Sequence, residues 1–274
     1  MNLHHSLEDI KGSFVMPLVT IVMPAYNGCA YISDSIQSVL NQTFIDWELI
    51  VVDDCSLDST PLIVDAIAAG DSRVKLIRNI TNCGPLLSRN VGMGKAFGRF
   101  ISFLDQDDIW LSDKLDLQVQ FMINNGLGIT FTAWRRMSAD GMRQGRVIDA
   151  PEVYGFHEFH RDTGVALSSC IIDTLLVGHP KFADTHPYTE YEFYREIFMR
   201  GIQARGLHID LLRYRVSSSA MSYNKFAMAR LVWCNFRVKA KLPIIYAIYC
   251  FSHYAIRATL RNFDSLDEEI NFSY

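Results

Sequence analysis

The chain has no clustered cysteines. Its six, at positions 29, 55, 83, 170, 234 and 250, are scattered and form no C-x-x-C pair. That spacing excludes a cysteine-rich zinc module and a disulfide-stapled miniature scaffold, and reduced, buried thiols in a cytosolic protein are expected instead. A basic excess is also lacking: 26 Lys and Arg stand against 30 Asp and Glu, a formal charge of -4. Nucleic-acid binders carry a basic stripe that this balance does not supply. Long apolar runs are missing too. The longest uncharged stretch, Leu242 to Ile256, includes Ser252 and His253 and falls short of the roughly 20 apolar residues that span a bilayer. No repeat or low-complexity tract is visible. The opening MNLHHSLEDIKGSFVM has neither the basic start nor the apolar block of a secretory signal, so residues 1–16 read as a flexible leader.

What is present is a chain of 274 residues, 49% apolar, long enough for one large domain or a domain with an appendage. Its first half alternates two periodicities. Short apolar runs, VTIVMP (19–24), ELIVVDD (48–54), VKLIRN (74–79), RFISFLD (99–105) and GLGITFTAW (126–134), read as strands. Between them, 31–41, 61–69, the second part of 82–98 and 113–125 carry helical spacing, with Ser59 or Thr60 before Pro61 as a helix start. Strands that are apolar throughout and alternate with helices predict a mainly parallel, Rossmann-like α/β sheet covered on both faces.

Ligands of such sheets sit beyond the carboxyl ends of the strands. Those ends read PAYNG, DDCSLDST, RNITNCG and DQDD, so aspartates recur on one rim. Turn preference explains Asp, Asn and Gly in any single loop; two acidic ends on one rim point to a site. Carboxylates as close as Asp105, Asp107 and Asp108 repel one another, and gathering them calls for a compensating cation. Further on, Asp140-Gly141 predicts a hairpin, 164–173 a strand or a strand-to-helix passage, 190–201 a helix, and 208–217 a last strand. The histidines show no H-E-x-x-H or similar ligand spacing.

The ordered set VTIVMPAYNG, VVDDCSLDST and SRNVGMGKAFGRFISFLDQDDIWLSDKLDLQ resembles family 2 glycosyltransferases with the GT-A fold, of the kind that build teichuronic acid and other bacterial surface polysaccharides. The resemblance covers about residues 18–120 and continues more weakly, through HPYTEYEFYREIFMRG and LLRYRVSSSAMS, to about 223. It implies a nucleotide-sugar donor, UDP by family habit. Pro24, Ala25 and Tyr26 would form one wall of the nucleotide pocket. Asp53 or Asp54, with Asp54 preferred, would accept a hydrogen bond from the base. In the D-x-D element, Asp105 would touch the ribose or a metal-bound water, Gln106, where relatives often have Ser, would line the nucleotide-sugar pocket with it, and Asp107 would ligate Mn²⁺ or Mg²⁺. Asp108 would either steady that ligand or cap a helix running on through Ile109 and Trp110. Arg89 would pair with the diphosphate, or make an exposed salt bridge. Lys114 reads as a helix surface residue.

In TEYE, Thr189 aligns with the first acid of a family Glu-Asp pair, and Glu190 with the general base toward the acceptor hydroxyl; Glu192 is the competing acid. Arg215 aligns with an arginine near the active site, with a strand-edge surface charge as the alternative. The implied reaction is inverting transfer to a glycan or lipid-linked acceptor, without the Q-x-x-R-W element of processive synthases. Rival readings are a sugar-phosphate nucleotidyltransferase, whose glycine-rich first loop is missing, and a catalytically silent binding protein. The expected organisation is a catalytic domain over 17–223, with a nucleotide-binding half (17–110) and an acceptor-binding half (111–223). A helical extension over 224–274 follows, whose basic, aromatic stretch 225–262 suits either an anionic membrane surface or a packing partner. A cytoplasmic location, at the inner face of the plasma membrane, goes with that reading.

Overall fold

The strand VTIVMPA (β1, Val19–Ala25) is buried along its whole length, and so is WELIVVD (β2, Trp47–Asp53). A strand with one wet face would alternate, so continuous burial requires cover above and below. The computed structural model describes residues 16–161, 165–184, 190–216, 225–262 and 268–269, and it contains that cover. The expected leader lies almost wholly outside the described residues, and Thr189 lies outside them as well.

β1 runs parallel to β2 on one side and to β4 (Phe100–Phe103) on the other, and β3 (Val74–Arg78) extends the parallel set beyond β2. The alternation along β1 decides which core each residue joins. Ile21 and Met23 meet α1 (Ile32–Leu40), α2 (Thr60–Gly70) and α4 (Lys114–Asn125) through Ile32, Ile36, Val64, Leu115 and Met122. Val22 points the other way, toward α3 (Pro85–Met93) and α7 (Tyr191–Met199), where it joins Leu86, Phe103, Phe193 and Ile197. There Phe182 stacks on Phe193 at 4.2 Å between centroids, and Phe103 meets both rings edge-on.

The second half of the sheet is mixed. Of residues 164–173, expected as one strand or passage, Leu167–Ser169 forms a 3₁₀ turn and only Ile171–Asp173 (β9) pairs. β9 lies antiparallel between β4 and β6 (Ile129–Ser138). β6 turns at Asp140-Gly141, where Gly141 has φ +76°, into antiparallel β7 (Arg143–Ile148), so the expected hairpin is present. The last long strand, β10 (Ala204–Val216), runs parallel to β6 with register breaks between Leu207 and Leu212. It also carries the short strands β5 (Ile109–Trp110) and β8 (Val153–Tyr154) on it antiparallel, while β11 (Glu268–Glu269) pairs with β7. Helices α5 (Phe156–Arg161), α6 (Thr174–Val177), α8 (Lys225–Cys234), a π-helical turn (Asn235–Lys239) and α9 (Ile244–Asn262) complete the described elements.

Three local expectations change. The start of α2 is held by neither Ser59 nor the Thr60 hydroxyl; the Asp58 carboxylate accepts the Thr60 N–H at 2.9 Å. The six cysteines are free, yet Cys29 is exposed and only Cys170 and Cys250 are buried. Lys114 is not on the surface: it is fully buried, its ammonium 4.0 Å from the Trp110 ring centre and 3.0 Å from Gln118 Oε1. A cation over an indole face with one amide acceptor keeps some compensation for lost water.

Burial pushes the Lys114 pKa down to about 7. Between that value and the unfolded value near 10.4, the unfolded chain binds a proton that the native chain does not. This group's contribution to stability therefore rises with pH across that window, and its burial cost is felt in full below pH 7. In urea unfolding, the wild-type chain is expected to gain up to about 1.4 kcal/mol per pH unit from this group between pH 7 and 9. Lys114→Met is expected to lack that gain; equal pH slopes in the two proteins would show that the buried ammonium does not titrate there.

Candidate active site

The loops after β1 and β2 are tied together by their own turn residues. Asn27 has φ +48°, its N–H donates to Ser56 Oγ at 3.0 Å, and its side chain accepts the Leu57 N–H at 2.8 Å. Gly28 N–H donates to Thr60 Oγ1 at 2.8 Å. Pro24 and Ala25 are buried at the end of β1, and the Tyr26 ring stands out on the rim, 44% exposed. All three lie at the carboxyl end of β1.

Asp54 is used differently from the expectation. Its Oδ2 accepts the Gly84 N–H at 2.7 Å and its Oδ1 accepts the Asn79 amide at 2.7 Å and the Cys83 N–H at 3.0 Å. Burial would raise its pKa, but these donors hold it below the ordinary carboxylate value. Asp54 therefore anchors the turn into α3, where Gly84 has φ +86°, and both of its oxygens are engaged. Asp53 is the freer acid: its Oδ2 takes a long bond of 3.3 Å from Ser56 N–H, and its buried Oδ1 has no hydrogen-bond partner among the described residues.

β4 ends at Phe103, so Asp105 sits in the loop beyond it, where its N–H donates to Ser168 Oγ at 3.2 Å. The Arg89 guanidinium, on α3, reaches its carboxylate at 2.5 Å. The same guanidinium lies 3.4 Å from Glu190 Oε1. Arg89 is 3% exposed. It is not an exposed salt bridge; it joins two acids that are 85 positions apart in the chain. Burial works against its charge, but Asp105 and Glu190 more than offset this and raise its pKa.

Glu190 is the residue before the first turn of α7, and its carbonyl accepts the Tyr194 N–H at 3.1 Å. Its carboxylate faces Arg89, whereas Glu192 is held by Arg195 at 3.1 Å. The two acids thus have different partners.

Gln106 was expected to line the nucleotide pocket. Its amide instead brackets one peptide unit: Oε1 accepts the Tyr26 N–H at 2.9 Å and Nε2 donates to the Tyr26 carbonyl at 3.1 Å. That staple joins the first loop to the acidic loop. Gly28 leaves room for it, since a Cβ there would lie 2.1 Å from Gln106 Oε1.

Asp107 is partly buried, and burial together with the Asp105 charge pushes its pKa up to about 6. Asp108 caps no helix, because Ile109 and Trp110 form β5; it is buried and accepts the Arg215 N–H at 3.0 Å. Burial, with Asp107 and Asp105 next to it, raises its pKa well above the usual range. Arg215 is likewise buried rather than a strand-edge charge. Its Nε donates to the Asp107 carbonyl at 2.9 Å, one terminal nitrogen donates to the Ala139 carbonyl at 2.8 Å, and its guanidinium lies 4.5 Å from the Tyr31 ring centre.

Sequence reasoning missed Tyr214. Burial, then the charges of Asp108, Asp105, Asp107 and Glu190, push its phenol far up, so it stays protonated among four acids. No short motif marks it; its position follows from β10 running beside β5. Ser168, at the back of the acidic loop, was missed for the same reason.

Comparison with known proteins matches this arrangement to a family. The model of Glycosyl transferase family 2 matches residues 20–175. The chain belongs to glycosyltransferase family 2. A Bacillus subtilis protein named for glycosyl transfer in teichuronic acid biosynthesis (TuaG) is 32% identical over 242 residues, 88% of this chain and 96% of that protein. The Escherichia coli UDP-Glc:alpha-D-GlcNAc-diphosphoundecaprenol beta-1,3-glucosyltransferase WfgD is 31% identical over 247 residues, 90% of this chain and 96% of its own. Among solved structures, S. aureus TarS 1-349 in complex with UDP-GlcNAc gives a TM-score of 0.64 at 19% identity, covering 88% of this chain and 72% of that one. The Pyrobaculum calidifontis mannosyltransferase PcManGT, in complex with GDP-Man and Mn2+, gives 0.63 at 17% identity, covering 92% and 77%. The glycosyltransferase therefore has the expected GT-A fold, with a C-terminal helix, and the nucleotidyltransferase alternative is set aside.

Gly28→Ala and Gln106→Ala are each expected to raise the donor KM by about tenfold, the scale of two hydrogen bonds lost between the loops. The double variant is expected to be no worse than either single one, because both remove one staple. Additive losses in steady-state kinetics would mean that the two residues act separately.

Proposed function

We propose that this glycosyltransferase moves a sugar, with inversion, from a nucleotide-sugar, UDP by preference, to a hydroxyl of a glycan or lipid-linked acceptor during assembly of a bacterial surface polysaccharide. The observation that carries this reading is Arg89 joining Asp105 to Glu190, which brings the D-x-D loop and the candidate base into one crevice. The relatives named above support the substrate classes, since one carries UDP-glucose and a diphosphoundecaprenol-linked sugar in its name. Work at the inner membrane face agrees with a lipid-linked acceptor.

The nucleotide would lie between the Tyr26 ring and the ends of β1 and β2. The unpartnered Asp53 Oδ1 is the better acceptor for a base N–H, because Asp54 is saturated by protein donors. A divalent cation fits the acidic loop: Asp107 and Asp105 crowd negative charge there, which the raised Asp107 pKa registers. Among the described residues no set of three His, Cys, Asp or Glu side chains encloses an ion. The fit is thus that of Mg²⁺ or Mn²⁺ on one or two carboxylates completed by phosphate oxygens and water. When bound, such an ion supplies charge neutralisation for the departing diphosphate.

The chain's own residues do the rest. Arg89 holds the carboxylates of Asp105 and Glu190 on one guanidinium. Glu190 takes the proton of the acceptor hydroxyl as that oxygen bonds to sugar C1. The bond from C1 to the diphosphate oxygen breaks in the same step, through a transition state like the oxocarbenium ion of glycoside hydrolysis.

Glu190→Gln is expected to lower kcat by about 10²–10⁴ with little change in donor KM, and turnover within a few-fold of wild type would move the base elsewhere. Asp107→Ala is expected to abolish the Mn²⁺-dependent part of UDP binding in calorimetry, with the fold intact by circular dichroism. Unchanged metal-dependent affinity would remove Asp107 from the metal site. Proton NMR of the first product formed gives the anomeric outcome, and retention would overturn the single displacement.

A further inference from the structure

The segment 225–262 differs in charge from the rest of the chain. It holds seven Lys and Arg and no Asp or Glu, within a protein whose net charge is -4. Its last helix, α9, is apolar on two opposite faces. Ala247 and Cys250 are buried, in one core with Phe236 and Tyr191. On the far side Ile245, Ile248, Tyr249 and Ile256 are exposed, Ile245 by 81%. These positions are spaced i, i+3, i+4 and i+11 and fall on one stripe of a 3.6-residue helix. Val238 and Ile244 extend the apolar surface, and the exposed Arg230 and Lys241 are on the same segment.

A helix that is apolar on two opposite faces is ordinarily covered on both. No described helix is long and apolar enough to cross a membrane, so insertion across a bilayer does not supply the cover. A second copy docked face to face would set the same acid-free, basic segment against itself, because a two-fold contact is isologous. An anionic lipid surface has the opposite charge and an acyl boundary that accepts isoleucine and tyrosine.

We infer that α8 to α9 seats this protein on an anionic bilayer, with Ile245, Ile248, Tyr249 and Ile256 entering the interface and the exposed Arg230 and Lys241 meeting lipid phosphates. Hydrogen bonds link the seat, through α5, to the residue beside Glu190. Tyr246 Oη lies 2.9 Å from His157 Nδ1 on α5, and His160 of the same helix lies 2.9 Å, Nε2 to Oη, from Tyr191, the neighbour of Glu190. Lipid binding would thus fix the direction in which the crevice faces the membrane.

Sedimentation of the full chain with vesicles tests this separately from sugar transfer. Vesicles of phosphatidylglycerol with phosphatidylethanolamine are expected to bind it at least about tenfold more tightly than phosphatidylcholine vesicles, with the difference lost in high salt. Ile245→Glu with Ile248→Glu is expected to abolish vesicle binding while circular dichroism and the unfolding midpoint stay unchanged. Lys241→Glu is expected to weaken binding by about fivefold or more. Binding to neither vesicle, or equal binding to both, overturns the inference. So does a dimer in analytical ultracentrifugation that the Ile245→Glu, Ile248→Glu variant breaks without vesicle binding, which assigns the face to a second copy.

Discussion

Four carboxylates converge where the central strands end, and two buried guanidiniums make that crowding tolerable. Asp105 and Glu190 share the Arg89 guanidinium, and the charge of Asp105 bears on Asp107 and Asp108 beside it. Like charges this close in a poorly hydrated crevice repel by several kcal/mol at an effective dielectric near 20. Arg89 answers from α3, shared between Asp105 and Glu190, and Arg215 answers from β10, where its guanidinium donates to the Asp107 carbonyl and its main-chain N–H to the Asp108 carboxyl. Neither arginine faces solvent, so neither is a mobile counter-ion. They are fixed charges, and they leave Asp107 as the acid with negative charge to spare.

The rest of the site follows from keeping that cluster in place. Asp54 anchors the turn that starts α3 and so sets where Arg89 stands. The Gln106 staple draws the acidic loop to the Tyr26 peptide, which joins the loops beyond β1 and β4. Ser35 Oγ donates to the Gln106 carbonyl at 2.8 Å, tying the same loop to α1. On the other side, the stacked Phe182 and Phe193 lie beneath Arg89, whose guanidinium is 5.6 Å from the Phe182 ring centre. The aromatic core under α7 therefore supports both the base candidate and the arginine paired with it.

Much of this was legible in the residues. Apolar runs announced the strands, and β1, β2, β4 and β6 appear at the expected places because burial on two sides keeps their patterns mostly apolar, while β3, at the end of the sheet, exposes Lys75 and Arg78. The acids at the strand ends marked the rim, since loops after parallel strands open on one side. Less legible were the partners. Lys114 reads as an exposed helix residue, yet the Trp110 ring and Gln118 receive it in the core. Arg89 and Gln106 read as ligand contacts, yet both are used within the protein. Asp54 and Asp53 are adjacent and chemically identical, and only the donors around them separate their roles.

By itself the sequence determined the elements and their order, because periodicity, turn residues and strand composition are local properties of the chain. It also determined which residue types lie on the rim. The tertiary structure alone decided which charges neutralise which: Arg89 meets Glu190 only after more than a hundred residues have wound through the mixed half of the sheet. Ion pairs and hydrogen bonds depend on ångström distances between elements remote in sequence, and no local pattern encodes those distances.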